Sequence, residues 1–272
     1  MSLFIASIAS GSNGNCYYIG NEHEAVLVDA GISSRETVKR MRRIGLSIEK
    51  VKAIFISHEH GDHIRGLDVL SRRYNLLVYI TPATLQHSRL LLDRALVRVF
   101  KAYEPVSIGA ITVHAFPKFH DAIDPHSFTL SCNGTTIGVL TDIGSPCEHV
   151  IQHFKQCHAV FLETNYDEVM LEQGRYPYHL KKRISGNEGH LSNKQALDLF
   201  LQHRPSFMSH VFLSHLSKDN NDPNLVVDLF YEHAGNTTVV HASRYEETGV
   251  YSIAGKSDTA PAVTKLGQIS LF

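Results

Sequence analysis

The chain has 272 residues, 43% hydrophobic and 19% charged, enough apolar material for a large core, which excludes a disordered, fibrous or peptide-sized protein. Its longest apolar runs, such as Ala53–Ile56, fall far short of the roughly 20 residues that cross a bilayer, and Met1–Ser7 has neither the basic stretch nor the hydrophobic length of an export signal. With 26 basic against 27 acidic residues the net charge is −1, so a polyanionic partner would have to meet a local patch.

A soluble cytoplasmic protein with no membrane partner is therefore expected. Cys16, Cys132, Cys147 and Cys157 are widely spread and form no CxxC pair, which fits a reducing compartment. The unusual feature is 18 histidines against no tryptophan, which directs attention to metal-ligand spacing.

In chain order, the loop Ser10–Cys16 comes first. Its backbone N–H groups around Asn13 offer a cradle for a terminal phosphate, or it is an ordinary hairpin turn. Short aliphatic runs then predict strands at Ala25–Asp29, Ala53–Ser57, Leu77–Thr81, Ile111–Phe116, Ser127–Cys132, Thr136–Thr141, Ala159–Thr164, His210–Ser214 and Thr238–His241, with helical patterns between many of them. That order is α/β. Arg35, Lys39, Arg40, Arg42 and Arg43 wrap round a predicted helix and read either as a grip on phosphate, like Lys181, Lys182 and Arg183, or as a solvated face. Asn133-Gly134 is a tight-turn dipeptide, so part of the sheet should be antiparallel. Past Lys181, Lys182 and Arg183, Ser192 reads as the N-cap of an amphipathic helix with Ala196, Leu197 and Phe200 on one side. No repeat or internal linker interrupts the pattern, so residues 1–253 are expected to form one domain and 254–272 a polar, mobile tail.

The decisive segment runs from Ala53 to His63. A hydrophobic strand leads directly into His58, His60, Asp62 and His63, the spacing HxHxDH. A loop at a strand end can aim such side chains at one point, and mixed imidazole and carboxylate donors suit a catalytic divalent metal. Gly61 is expected to permit the sharp turn that lets the pairs converge.

This pattern resembles the metallo-β-lactamase superfamily, and further motifs follow in the same order. Asp29 is similar to the strand-end carboxylate that orients the metal loop, His120 to the third-motif ligand, Asp142 to the bridging carboxylate and His215 to the fifth-motif ligand. The resemblance implies an αββα sandwich of two mixed β-sheets with helices on the outer faces. It also implies two divalent metal ions (Zn, Mn or Fe), one on His58, His60, His120 and Asp142, the other on Asp62, His63, Asp142 and His215.

Several local stretches, Ser10–Cys16, His120–Pro125, Tyr176–Ile184, Gly189–Asn193 and His215–Asn221, look like the bacterial YycJ/VicX/WalJ nuclease group over about residues 1–253. That likeness implies a 5′-to-3′ double-stranded DNA exonuclease linked to DNA repair. A hydroxide shared by the ions would attack the scissile phosphate, Asp62 would orient it, and His190, held by Glu163, would aid departure of the 3′ oxygen. Lys181, Lys182, Arg183, Asn13 and Ser192 are then expected substrate contacts. Where the group more often has a small apolar residue, this chain has His126, which either sits near the site or replaces a packing residue.

The competing readings are an RNA-processing nuclease, a small-molecule ester or thioester hydrolase, and a non-catalytic metal-bound adaptor on the same scaffold. A periplasmic β-lactamase would need an export signal, and a glyoxalase-type thioesterase a helical domain at its carboxy end. At the terminus, Gln268, Leu271 and Phe272 resemble the short peptide that bacterial proteins insert into the hydrophobic groove of the replication sliding clamp.

Overall fold

Strand pairing, more than helix content, organises the molecule. The computed structural model describes residues 2–255. In its first half the elements are β1 (Leu3–Ala9), β2 (Cys16–Gly20), β3 (Ala25–Val28), α1 (Ser34–Arg43), β4 (Val51–Phe55), α2 (Gly61–Ile64), α3 (Leu67–Tyr74), β5 (Leu77–Tyr79), α4 (Pro82–Ser88) and β6 (Val97–Arg98). The second half comprises β7 (Val106–Ile108), β8 (Ile111–Pro117), β9 (His126–Cys132), β10 (Thr135–Leu140), α5 (Glu148–Phe154), β11 (Ala159–Glu163), α6 (Glu168–Gln173), α7 (Tyr178–Ile184), α8 (Asn193–His203), β12 (His210–Ser214), α9 (Pro223–Tyr231), β13 (Thr238–His241) and β14 (Tyr251–Ile253).

Two seven-stranded sheets result, in the orders β14-β1-β2-β3-β4-β5-β6 and β13-β12-β11-β10-β9-β8-β7. Both are mixed: β3 through β6 pair in parallel beyond an antiparallel meander, and β10 through β13 do the same in the second sheet. The inner core between the sheets is built by Ile5, Tyr17, Val28 and Phe55 facing Phe128, Leu130, Phe161 and Phe212. Outside the first sheet, Val38, Met41, Leu67 and Leu70 of α1 and α3 form a second apolar layer. Outside the other, Val150, Phe154, Ala196, Leu197, Phe200, Val226 and Phe230 of α5, α8 and α9 form a third. The expected αββα sandwich is present.

All nine expected strands are found, within two residues at each end. Asn133 and Gly134 take φ values of 47° and 78° between antiparallel β9 and β10, the tight hairpin their dipeptide favours. Sequence reading missed β1, β2 and the two- or three-residue strands β6, β7 and β14. β1 and β2 are buried almost throughout, so they lack the alternation that marks a half-buried strand. The Ser10–Cys16 loop joins these two as an antiparallel pair. Among the described residues no helix is long and apolar enough to cross a membrane.

The site lies where parallel strands end, the crevice in which mixed α/β sheets gather ligands. Parallel register aligns Leu140 with Leu162 and Leu162 with Leu213, so Asp142, Glu163 and His215 emerge from one edge of the second sheet. Asp29 and Ser57 leave the facing edge of the first, after β3 and β4.

Candidate metal centre

Three chain reversals place donors that their strands alone would not. Asp29, Asp142 and His215 have φ values of 62°, 54° and 57°, a left-handed conformation costly for residues with a Cβ. Each sits within two residues of a strand end, and the bend swings its side chain into the space between the sheets. Strain at these positions is held by local bonds: the His215 N–H donates to Ser10 Oγ at 2.8 Å, and the Asp29 N–H donates to the Phe55 carbonyl at 2.8 Å.

The donors converge in two groups. His58 Nε2 lies 3.1 Å from His60 Nδ1, which lies 3.4 Å from His120 Nε2. Asp62, His63 and His215 form the second group, with His63 Nε2 and His215 Nε2 at 3.5 and 3.6 Å from Asp62 Oδ2. Asp142 stands between them. Its Oδ2 is 3.3 Å from His63 Nε2, and its Oδ1 is 3.3 Å from His215 Nδ1 and 3.9 Å from His120 Nε2.

Surrounding bonds orient the donors. His120 Nδ1 donates to the Gly189 carbonyl at 3.1 Å, turning Nε2 toward the centre. Asp29 accepts from the Ser57 N–H and Oγ, both at 2.8 Å, and from His63 Nδ1 at 2.7 Å. One buried carboxylate therefore bonds both the start of the loop and the ring of His63.

Electrostatics differ between the groups. Burial keeps His58 well below the ordinary imidazole range and lowers His120 to about 3, so both rings are neutral and ready to ligate. Burial also opposes charge on His215, yet Asp142, Asp62 and Glu163 raise it to about 10, and His63 is likewise raised by Asp142, Asp29 and Asp62. The acidic half of the site thus calls for positive charge. Asp142 Oδ2 and His215 Nε2 are buried without a hydrogen-bond partner, an arrangement that costs stability unless a cation takes them up. The donor set, imidazoles plus carboxylates around orphaned inward atoms, fits divalent metal.

The comparisons with known proteins agree. The family described as metallo-beta-lactamase superfamily matches residues 9–135. The exodeoxyribonuclease YycJ of Bacillus anthracis is 34% identical over 226 residues, 81% of this chain and 85% of that protein. The chain belongs to the metallo-β-lactamase superfamily. Within it the likeness is to the YycJ/WalJ branch, since the exodeoxyribonuclease WalJ of Streptococcus pneumoniae is 31% identical over 219 residues, 79% of this chain and 81% of that protein. The crystal structure of YhfI from Bacillus subtilis shares the fold, with a TM-score of 0.72 at 15% identity over 92% of this chain and 99% of that one. The chain is accordingly a metal-dependent hydrolase.

On this metallo-β-lactamase scaffold the remaining expected residues fall into place unevenly. His190 Nδ1 is 2.7 Å from Glu163 Oε1, and Glu163 Oε2 accepts from the Ile143 N–H at 2.6 Å and the Leu191 N–H at 3.3 Å. His190 is the part-exposed member, its side chain 21% accessible beside a fully buried Glu163. Burial works against the Glu163 carboxylate, but His190 and His215 hold it down to about 2.

Ser192 caps α8: its buried hydroxyl accepts from the Gln195 N–H at 3.1 Å and donates to Glu168 Oε1 at 3.0 Å within a capping box. The basic triplet also divides. Arg183 pairs with Asp121, beside His120, and Lys181 donates to the Glu172 carbonyl. Lys182, over the exposed Tyr178 ring at 5.7 Å, lines cavities of about 610 and 390 Å³ on either side. Asn13 is exposed, bonded to Arg244 and, through its carbonyl, to Arg65.

His126 is a packing residue: it is buried, edge-on to Phe100 at 5.3 Å, and its N–H donates to the Ser57 carbonyl. Gly61 is not the residue that makes convergence possible, since it lacks a positive φ and a Cβ there would meet nothing within 4 Å. Gly31 is. A Cβ on Gly31 would fall 1.6 Å from the Asp62 carbonyl oxygen, so the Asp29 loop and the metal loop touch only because the side chain is absent.

Sequence reasoning gave no role to Ser10 and Asn15, though it singled out their loop, nor to Ser57 and Lys118. Asn15 Nδ2 donates to Asp62 Oδ2 at 3.2 Å while its Oδ1 accepts from the Gly11 N–H at 2.9 Å. Lys118 is buried behind the site and donates to the Thr141 carbonyl at 2.6 Å. Ser57 adjoins His58 and Ser10 and Asn15 lie in the Ser10–Cys16 motif, but Ser10, Asn15 and Lys118 bond to residues far along the chain.

Proposed function

We propose that the chain is a dinuclear-metal phosphodiesterase that degrades double-stranded DNA from 5′ ends in the cytoplasm, in repair or replication, with residues 1–253 as its one catalytic domain. The observation that carries this reading is the pair Glu163–His190. A buried carboxylate holding a part-exposed imidazole at 2.7 Å, at the lip of the donor cluster, is a proton-delivery device that an alkoxide leaving group needs. The YycJ and WalJ relatives are named exodeoxyribonucleases, which supports the choice of deoxyribonucleic acid.

Two divalent ions, held by His58, His60, His120 and Asp142 and by Asp62, His63, Asp142 and His215, would supply a hydroxide nucleophile at neutral pH and offset charge on the phosphate. The protein's part is positional. Asp142 faces both groups, Asp29 and Ser57 lock His63 and His58, and Asn15 steadies Asp62, the residue proposed to orient the nucleophile. With Nδ1 bonded to Glu163, His190 has Nε2 left to give a proton to the departing 3′ oxygen. Lys182 and Asn13 remain candidates for phosphate contacts, with Lys181 and Arg183 at the same rim.

The test is digestion of end-labelled duplex DNA, single-stranded DNA, structured RNA and a thioester across Zn, Mn and Fe. Release of nucleotides from the 5′ ends of duplex DNA, dependent on metal and lost in Asp62→Ala, is expected. Faster turnover of RNA or thioester would overturn the assignment.

A second partner is proposed from the terminus. Gln268, Leu271 and Phe272 lie outside the described residues, and their motif supports docking to the sliding clamp. Titration of clamp with the full chain and with a chain lacking 268–272 tests it: loss of binding on deletion is expected, and equal binding removes the idea.

A further inference from the structure

The cations of α1 do not form an evenly solvated face. Arg40 turns inward, where its guanidinium donates to the Ile8 carbonyl at 3.0 Å, the Tyr245 carbonyl at 2.8 Å and Glu36 Oε1 at 3.1 Å. The others look the opposite way. Arg35, Lys39, Arg42 and Arg43 line a concavity of about 550 Å³, completed by Arg73 and Tyr74 at the end of α3 and floored by Val38. Among the described residues no carboxylate lines it. Arg43 is tied to Glu247 and Lys39 lies 3.7 Å from Glu36, but among the described residues no acidic group is within ion-pair distance of Arg35, Arg42 or Arg73.

The position of this groove matters as much as its charge. α1 starts just past the Asp29 loop, and α3 starts just past the helix that bears Asp62 and His63. The two starts are stitched together: the Ala30 N–H donates to the His63 carbonyl and the Gly66 N–H to the Ala30 carbonyl, both at 2.8 Å. Both helices therefore begin at the metal edge and run away from it over the outside of the first sheet. Arg35 and Arg43 are eight residues apart, about 12 Å along the helix axis. A row of guanidinium groups leading away from a cleavage site, with Arg35, Arg42 and Arg73 in no ion pair among the described residues and no carboxylate or amide in the lining to read bases, suits successive phosphates of a polynucleotide.

We propose that the α1/α3 groove is a second binding site, for the phosphate backbone of the nucleic acid that extends beyond the scissile bond. It rests on the nuclease reading and deepens it: the metal centre cuts, and the groove holds the uncut portion by charge alone. Arg35, Arg42 and Arg73 carry it, Lys39 adds to it, and Tyr74, whose ring lies 5.6 Å from the Arg73 guanidinium, supports that side chain from below.

The test compares metal-loaded wild-type protein with a variant carrying Arg35→Gln, Arg42→Gln and Arg73→Gln. Initial rates are measured at subsaturating long duplex over a salt series, and in parallel on bis(p-nitrophenyl) phosphate, which reaches only the metal centre. The plot of log rate against log salt is expected to become shallower by roughly 0.9 for each phosphate contact removed, with duplex turnover lower by about tenfold or more. Turnover of the small ester should be unchanged, and the corresponding triple Lys variant should recover the wild-type slope. Equal salt slopes in wild type and the Gln variant, on a wild type that degrades duplex, would overturn the groove alone. Parallel loss on the small ester, or no recovery with Lys, would overturn it too, since the effect would then come through the fold. Absence of any polynucleotide cleavage by wild type would instead sink the nuclease reading on which it rests.

Discussion

Glu163 Oε1 lies 2.7 Å from His190 Nδ1 and 3.0 Å from His215 Nδ1, so one carboxylate oxygen joins the proposed proton donor to a proposed metal ligand. Its partner oxygen is occupied by two backbone N–H groups from the loops carrying Asp142 and His190. The buried carboxylate therefore sets two rings and two loops at once.

Truncation of His190 should separate proton delivery from metal binding. His190→Ala is expected to lower turnover of DNA by roughly 10²–10⁴-fold with metal content unchanged. A p-nitrophenyl phosphodiester, whose leaving group departs without a proton, should lose far less. Equal losses on both substrates would remove His190 from that role. Glu163→Gln should reduce both turnover and metal retention, because it weakens the hold on both imidazoles.

Asp29 touches no proposed ion, yet its removal should be felt there. Asp29→Ala frees Ser57 and the ring of His63, and metal affinity is expected to fall roughly 10–100-fold, read by competition with a chelator. Affinity equal to wild type would show that packing alone orients His63.

Two glycines of the site region should respond in opposite ways. Gly31→Ala forces a methyl group into the Asp62 carbonyl, while the same change at Gly61 meets open space. Gly31→Ala is expected to lose both melting temperature and metal; Gly61→Ala should resemble wild type in each. A tolerant Gly31 would mean that the contact between the two loops yields easily.

Ser192→Ala removes a cap from α8, and a loss of about 1 kcal/mol in stability is expected from denaturant unfolding. KM for duplex should not move. A raised KM at unchanged stability would restore Ser192 as a substrate contact.

Acid sensitivity has one source remote from the metal. His153 stacks on Phe116 at 3.9 Å with its Nδ1 buried and unpartnered; burial, reinforced by His114 and His149, lowers it to about 4. Because the unfolded chain takes up this proton near pH 6.5 and the folded one does not, stability present above pH 6.5 is lost as pH falls toward 4. His153→Phe should therefore show a smaller fall in melting temperature between neutral pH and pH 5 than wild type, measured in the same metal-loaded state. An identical fall in both proteins would assign the acid loss elsewhere.

Much of the centre was legible from residue order, because metal ligation needs donors at strand ends and those sites are local in sequence. HxHxDH after a hydrophobic strand marked His58, His60, Asp62 and His63, and the family resemblance that this motif opened pointed to Asp29, His120, Asp142 and His215. Parallel register then does what any such strand must, setting its ends abreast. Asn133-Gly134 and the capped helix after Ser192 were equally local.

What the chain order left undecided depends on contacts between distant segments. Asn15 reaches Asp62 across 47 positions, Gly31 is demanded by a carbonyl from another loop, and Arg40 parts from its helical neighbours because Ile8 and Tyr245 present carbonyls to it. On α1, Arg73 and Tyr74 of a different helix complete the concavity that Arg35, Lys39, Arg42 and Arg43 line. Spacing along a chain determines which side chains can share a strand end or a helical face. Which of them meet a partner, and which stay unpaired, is decided when the sheets pack and bring remote backbone within bonding distance.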